Sequence, residues 1–530
     1  MTRRKLLARG AALGVPAFAA GLLRTGAARA ARRPIPLPSP AQVRADFTTM
    51  VEFGPRLTAT DAHRRYVDWL EQGFIDAGLR TLPRDSFTTD RWLAHDVALD
   101  ILSGPSAGPV KVATYFPRSQ ETPLAGVTGP LVYGGTAPAP SLSFTGPADL
   151  QASLARYPSE LAAWASGLSG LAGGAQGSIL LVDLPVPVPM TGGELMPDST
   201  FQYWPGHTAA DWAASEFKRL WLVPGLDMPL AQFQQTGAQA VVFILDASYE
   251  ALKGAYTPFL QGFQPLPALY VDRDTGRALR AQAAGRPDTR LTLTATRQPT
   301  TTQAITAVLP GESDEVIIFN THTDGQGFVE ENGGVAFVQL ARYFASRPRG
   351  QRLRRTLVFS LWPGHMVADI TGSWMADHPD LVKRAAAALT VEHLGCTEWN
   401  DTVGQGYRPT GQPEALFVWT TQGKMFELTR DTVVAHRLAR TALMRPPAQF
   451  GVGSPYQTAG VPQIGAIAGP EYLLTISPNG DLDKLDERLA ARQIAWLADL
   501  TRRIDRVPAS TLRQGDPTLG LSAPPAPAVP

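Results

Sequence analysis

The chain has 530 residues, of which 44% are hydrophobic and 18% are charged, so it is long enough for two domains and too apolar for a disordered protein. The 48 basic residues nearly balance the 47 acidic ones, and a net charge of +1 excludes a general attraction to nucleic acid or anionic membranes. The single cysteine, Cys396, excludes an intrachain disulfide and a thiolate metal cluster, and we expect it to be a small buried residue.

The first 30 residues have the pattern of an export signal. Arg3-Arg4 precede the apolar run Ala11–Leu23, and Ala28-Arg29-Ala30 offers small residues for cleavage. Paired arginines are typical of the twin-arginine route, and the apolar run is too short to cross about 30 Å of hydrocarbon. We therefore predict an exported protein, secreted or extracytoplasmic, with no stable membrane anchor.

Helices and then short strands are predicted in the first part of the chain. The helical stretch Gln42–Leu79 breaks at Gly54-Pro55, and its second half begins at the cap residue Thr60 and ends at Gly78. Apolar runs between Gly and Pro residues predict four strands: Leu131–Tyr133, Ile179–Asp183, Ala240–Asp246 and Ala268–Val271. A helical insertion, Ala148–Leu171, and a loop, Val186–Gly206, lie among these strands.

From Ile305 onward, strands alternate with helices. The predicted strands are Val316–Asn320, Thr356–Trp362, Leu389–Glu392 and Gln463–Ile467, and the predicted helices are Val335–Phe344, Asp377–Ala387, Phe426–Leu443 and Leu482–Ile504. This alternation predicts an α/β fold with a mostly parallel sheet and helices on both faces. Thr511–Pro530 is a tail rich in Pro and Ala, with nothing to bury.

Chemically active residues follow three of the predicted strands. His322-Thr323-Asp324 follows the first, Gly364-His365 the second, and Glu392-His393 ends the third. The carboxyl ends of parallel strands meet at one edge of a sheet, so we expect these side chains to lie together. Imidazole and carboxylate are zinc ligands, and a carboxylate two residues after a histidine can accept its second N–H group. The sequence therefore predicts a metal site that includes His322.

The segment Ile305–Gly395 resembles metallopeptidase family twenty-eight, the co-catalytic zinc aminopeptidases. That family has a strand ending in His-x-Asp, a Gly-rich loop with Asp-Asn, a strand ending in Gly-Glu-Glu and a strand ending in Asp-x-x-Gly. The helix preceded by Phe53-Gly54-Pro55-Arg56 resembles the family's opening helix, and Gly460-Val461-Pro462 resembles its final Gly-Ile-Pro. Gly237–Val242 and Leu266–Leu269 resemble the protease-associated (PA) domain that is often inserted in the family.

This resemblance implies a division of the chain. We expect a signal peptide at 1–30, a linker at 31–40, a zinc-peptidase-like α/β domain at 41–95 and 299–508, a β-rich PA-like insertion at 96–298, and a tail at 509–530. The sequence leaves the oligomeric state open.

The resemblance also implies a ligand set. His322 matches the family's histidine ligand, and Asp324 matches the carboxylate that supports it. Glu331 stands at the aspartate that bridges two zinc ions, and Glu392 stands at the aspartate that binds the same zinc as the histidine.

Two neighbouring residues extend this set. Glu330 is the alternative ligand to Glu331 and a candidate catalytic carboxylate. His393 is a candidate supporting residue, because it points away from Glu392 if the strand continues through it.

The other half of the family's site differs in this chain. Gly364-His365-Met366 replaces Gly-Glu-Glu, and Val452-Gly453-Ser454 replaces the segment with the last histidine ligand. The expectation is one zinc ion, with His365 as the base or as a further metal ligand. An ordinary histidine, with a pKa near 6.5, is mostly neutral at neutral pH, as a base must be. We predict an exported metal-dependent hydrolase of peptides or other small amides.

Two alternatives to this prediction stay open. One is a non-catalytic binding protein with the same fold, and the other is a hydrolase of a non-peptide substrate. A serine hydrolase is disfavoured, because Ser106 in its Gly-x-Ser-x-Gly match is followed by Pro109 and by no predicted helix.

Overall fold

The computed structural model describes residues 34–139, 147–170, 174–185, 190–195, 199–222, 230–259, 262–366, 371–446, 449 and 451–520. The predicted signal peptide lies outside these residues, as do 521–530 of the predicted tail and parts of the predicted loop at 186–206. No helix among the described residues is both long enough and apolar enough to cross a membrane.

Two capped helices open the described chain, α1 (Pro40–Glu52) and α2 (Asp61–Ala77). The side chains of Ser39 and Thr60 accept hydrogen bonds from the first free N–H groups of these helices. Gly78 ends α2 with a φ of 83°, a left-handed conformation that glycine adopts without strain. The predicted cap at Thr60 and the predicted end at Gly78 are confirmed.

A strand-rich region follows. Its elements are β1 (Arg80–Thr81), β2 (Asp85–Ile101), β3 (Gly108–Val110), β4 (Thr114–Tyr115), β5 (Val127–Thr136), α3 (Pro147–Ser166), β6 (Ile179–Leu184), β7 (Met190–Thr191), α4 (Gly192–Leu195), β8 (Ser199–Tyr203), α5 (Ala209–Ala213), β9 (Glu216–Phe217), α6 (Ala231–Gln234), β10 (Ala240–Leu245), α7 (Tyr249–Leu252), β11 (Ala268–Val271), α8 (Arg273–Ala283) and β12 (Asp288–Leu309). The four strands predicted here are β5, β6, β10 and β11. They are parallel neighbours in the order β11-β10-β6-β5.

The remaining elements alternate strands and helices. They are β13 (Ser313–His322), α9 (Gly333–Ala345), β14 (Arg355–Trp362), α10 (Thr371–Asp377), α11 (Pro379–Lys383), β15 (Ala385–Val391), β16 (Thr397–Thr402), β17 (Gly406–Pro413), β18 (Leu416–Thr420), α12 (Lys424–Ala435), β19 (Thr441–Met444), α13 (Ser454–Thr458), β20 (Gln463–Ala468), α14 (Glu487–Asp505) and α15 (Ala509–Leu512). Parallel pairing in the order β14-β13-β15-β20 brings the carboxyl ends of these strands to one edge.

Helices cover both faces of this parallel sheet. In β13, Ile317 and Phe319 pack into one core with α2, α9 and α14, whereas Val316 and Ile318 pack into a second core with Trp374 of α10. Side chains alternate between the two faces of a strand, so one apolar run serves both cores. The predicted α/β fold is confirmed, and antiparallel strands extend the sheet beyond its parallel centre.

The long strand β12 joins the two parts of the sheet. Its first part pairs with β2 and β5, and its last residues, Ile305–Leu309, pair with β14. Strand β8 of the strand-rich region also pairs with β19 at the far edge. The sheet is therefore continuous across the predicted boundary near residue 299, and the division into domains stays a prediction.

Tertiary pairing overrides two of the predicted helices. The helix predicted at Asp377–Ala387 ends at Lys383, because Ala385–Val391 is buried as β15 between β13 and β20. The helix predicted at Phe426–Leu443 ends at Ala435, and Thr441–Met444 forms β19.

The predicted tail is wrong for its first ten residues. Leu512 is fully buried in the core of α14 and the sheet, and the Arg513 side chain donates a hydrogen bond to the Ala385 carbonyl. Residues 511–520 therefore belong to the folded structure.

Candidate metal centre

His322 is the last residue of β13 and is almost completely buried. Its Nδ1 lies 2.9 Å from the Asp324 carbonyl oxygen, which can only accept, so Nδ1 carries a proton and donates it there. Its Nε2 faces Glu392, 3.5 Å from Oε2. Burial alone would lower the pKa of His322, but the carboxylates of Glu392, Glu330 and Asp324 together outweigh burial and raise that pKa to about 10.

The Glu392 carboxyl responds in the opposite direction. Burial alone would raise its pKa, but His322 and the other nearby histidines lower it to about 2. In this pair the proton therefore stays on His322 and Glu392 stays ionised, and a bound cation would displace that proton.

The Asp324 carboxylate has a different role from the predicted one. It lies 3.8 Å from His322 Nδ1, and it accepts hydrogen bonds from the backbone N–H groups of Gly364, His365 and Met366 at 2.9, 3.2 and 3.1 Å. The Asp324 carbonyl oxygen orients His322, and the Asp324 carboxylate holds the turn that carries His365.

Glu330 faces the histidines of the site. Its Oε1 lies 3.5 Å from His365 Nε2, and its Oε2 lies 3.6 Å from His393 Nε2. Glu331 is instead ion-paired with Arg56, and both side chains are fully buried. Glu330, the alternative ligand of the sequence analysis, therefore takes the place expected for Glu331.

His393 turns into the site because its backbone is left-handed, with a φ of 61°. Strand β15 ends at Val391, so the alternation that would point His393 away from Glu392 does not reach it. Its Nδ1–H donates to the Ala468 carbonyl, and its Nε2 lies 3.8 Å from Glu392 Oε2. Burial lowers the pKa of His393 to about 4, which leaves the ring neutral with Nε2 free to bind an ion.

His365 is the most exposed of the five central side chains, at 15%. It follows Gly364, whose φ of 100° forms the turn after β14. Its ring lies 4.2 Å from the His322 ring and 5.3 Å from the Phe259 ring. Burial, reinforced by the charge of His322, lowers the pKa of His365 to about 3, so the ring is neutral at neutral pH.

Several buried nitrogen and oxygen atoms of this cluster that could bind a metal ion have no hydrogen-bond partner among the described residues. They are His322 Nε2, His393 Nε2, both carboxylate oxygens of Glu330 and Glu392 Oε1. Two groups of three possible metal ligands lie close together: His322 with Glu330 and His393, and His322 with His365 and Glu392.

These spacings fit a bound ion. Ligand atoms around a tetrahedral zinc lie about 3.3 Å apart, close to the 3.5–3.8 Å gaps between donors here. Leaving such groups buried and unpaired is costly, and a divalent cation would satisfy them. The donor set therefore fits zinc.

Two residues of the strand-rich region approach the site and were not found by sequence reasoning. Arg118 donates a hydrogen bond from Nη2 to the Met366 carbonyl at 2.8 Å, and Phe259 packs against His365. No local pattern marks either residue. Arg56 lies in a segment that resembles the family, but nothing in its neighbours indicates its partner.

The other five histidines lie outside both metal-binding groups of the described residues and have ordinary partners. His63 contacts Thr323, His95 contacts Thr296, His207 stacks on Trp204, His378 contacts Asp85 and His436 contacts Asp499. Cys396 is buried, and Ser106 lies in an exposed turn between β2 and β3.

Solved structures with this fold include zinc aminopeptidases. A peptidase M28 precursor from Shewanella amazonensis SB2B matches with a TM-score of 0.59 and 16% identity, over 88% of this chain and 93% of that chain. BSAP, a zinc aminopeptidase from Bacillus subtilis, matches with a TM-score of 0.55 and 15% identity, over 90% and 98%. The aminopeptidase from Aneurinibacillus sp. strain AM-1 matches with a TM-score of 0.52 and 15% identity, over 86% of this chain and 93% of that chain.

By sequence, no family model and no curated protein matches the chain. At these low identities the structural likeness establishes the fold, and the predicted resemblance to family twenty-eight is confirmed at that level. The likeness of residues 96–298 to a PA domain stays a prediction.

Proposed function

We propose that the protein is a metal-dependent hydrolase that cleaves peptide or other small amide bonds and holds one zinc ion. The observation that carries this proposal is the set of buried imidazole and carboxylate groups without hydrogen-bond partners at the carboxyl edge of the sheet. The zinc aminopeptidases that share the fold support an amide substrate.

Four residues would hold the ion: His322, Glu330, Glu392 and His393. Nδ1–H of each histidine is bonded to a backbone carbonyl, which presents Nε2 of each ring to the centre. A bound zinc would polarise the substrate carbonyl and lower the pKa of a water molecule.

His365 would move the proton. Its neutral ring offers a lone pair at Nε2, and Glu330 Oε1, 3.5 Å away, would stabilise the imidazolium that forms. His365 would accept a proton from the attacking water and return it to the leaving amine. Asp324 keeps the His365 turn in position through the three N–H groups that it binds.

The proposed location of the protein depends on its sequence. The paired arginines and the short apolar run at the start of the chain support export by the twin-arginine route, so we place the hydrolase outside the cytoplasm. The PA-like region would limit access to the cleft, since its Phe259 lies against His365.

Elemental analysis of the mature protein tests the proposal. We expect about one zinc per folded chain, lost in Glu392→Ala, because that change removes a buried ligand. Glu427→Ala, a change at a half-exposed carboxylate paired with Lys424, is the control and should keep its zinc. A screen of peptide, amide and non-peptide substrates then defines the reaction.

Each alternative has its own result. No zinc in well-folded, unchelated protein would favour a non-catalytic binding protein. Two zinc ions per folded chain, both lost in Glu392→Ala, would contradict a site for a single ion.

A further inference from the structure

Arg56 is a fully buried arginine at the edge of the candidate metal centre. It lies between α1 and α2, where its backbone exchanges hydrogen bonds with Gly325 in both directions, at 2.9 and 3.1 Å. Its Nη1 donates to the Met50 carbonyl at 3.0 Å, and its Nη2 donates to the Gly327 carbonyl. These contacts hold the guanidinium in place independently of its carboxylate partner.

Glu331 is held just as firmly. Its Oε1 accepts from Arg56 Nε, its backbone carbonyl accepts from the Tyr66 hydroxyl at 2.9 Å, and its Oε2 lies so close to Gly325 that a methyl group there would collide with it. Oε2 has no hydrogen-bond partner among the described residues. Glu331 is absent from both groups of metal-binding geometry that the described residues form.

The carboxyl groups at this edge differ in their partners. Four buried carboxylates lie here: Asp324, Glu330, Glu331 and Glu392. Asp324 is satisfied by three backbone N–H groups and the Thr58 hydroxyl, and Glu331 is neutralised by Arg56. Glu330 and Glu392 remain: they face the histidines of the site, and each has at least one oxygen without a hydrogen-bond partner among the described residues.

We propose that the Arg56 guanidinium acts as a fixed second cation of the centre, holding Glu331 out of metal coordination so that the site takes one divalent ion. This inference rests on the metal-binding part of the proposed function. The inference goes beyond the proposed function because it names the residue that sets the number of bound ions.

Zinc content, measured by elemental analysis after titration with zinc and removal of the excess, tests the inference. We expect one zinc per chain in the unchanged protein and in Glu331→Gln, because Glu331 is not a ligand. Arg56→Met removes the partner that holds the Glu331 carboxyl group, and we expect this variant to take up a second zinc. The double variant Arg56→Met/Glu331→Gln should return to one.

Arg219→Met is the matched control, since it breaks an equally buried ion pair, with Glu414, outside the metal-binding groups. It should keep one zinc. Circular dichroism and thermal unfolding establish that each variant is folded. If Arg56→Met does not fold, Glu331→Gln alone decides, with retained zinc supporting the inference.

The two proposals fail in different ways. Zinc lost in Glu331→Gln, or a single zinc in folded Arg56→Met, would overturn the role of Arg56 and leave the hydrolase proposal standing. Two zinc ions in the unchanged protein would also overturn that role. No zinc in the folded, unchanged protein would overturn both.

Discussion

The two sides of the candidate centre satisfy their polar groups in opposite ways. On the side of β13 and β15, His322, Glu330, Glu392 and His393 present donor atoms that no described residue bonds. On the side of β14, the N–H groups of residues 364–366 all bind the Asp324 carboxylate, and Arg118 binds the Met366 carbonyl.

This difference separates metal binding from the positioning of His365. Burying polar groups without partners is costly, so such groups indicate a site for an ion, whereas a turn with many hydrogen bonds indicates that its side chain is held in position. Three substitutions test this separation.

The largest effect on turnover is expected from His365→Ala. A general base contributes about 10²–10⁴-fold, so hydrolysis should fall by that factor while zinc stays bound. Hydrolysis rate and zinc content are measured on the same preparation, with His436→Ala, near Asp499, as the control. Loss of zinc would show that His365 is a ligand, in the second group with His322 and Glu392, and the separation would fail.

Glu330→Gln should weaken zinc binding. The amide keeps the size of the side chain but removes a charge from the centre, and supporting residues alone are worth about 10–100-fold in metal affinity, so we expect at least that loss. Competition with a chelator of known affinity measures it. Unchanged zinc affinity would show that Glu330 is not a ligand and that it supports His365 instead.

Arg118→Ala should have the smallest effect, about a tenfold drop in kcat with unchanged zinc content, because a looser turn displaces His365. Arg118→Lys keeps a donor and should recover part of the rate, and the pH profile of kcat should shift in the alanine variant. Arg118 and Arg297 both lie over the Phe263 ring, but only Arg118 is bonded to Met366. Arg297→Ala is therefore the control. An unchanged rate and pH profile in Arg118→Ala would show that the turn needs no support from the strand-rich region.

Local patterns in the sequence predicted the framework of the site. The apolar runs of β13 and β14 predicted both strands within a few residues, and their ends carry His322 and His365 where expected. Glu392 follows β15 directly and reaches His322 as predicted. Such runs are informative because a strand buried on both faces has an unbroken apolar sequence, and parallel strands bring their ends together.

Only the tertiary structure decided which carboxylates and imidazoles meet. The resemblance favoured Glu331 over its neighbour Glu330, and the actual choice depends on Arg56, which lies 275 positions from Glu331. His393 joins the centre because β15 ends before it and its backbone turns left-handed, whereas Asp324 turns its carboxylate to β14. Periodicity predicts side-chain direction only as long as a strand continues, and contacts between distant segments leave no local pattern, since they form only when the chain packs.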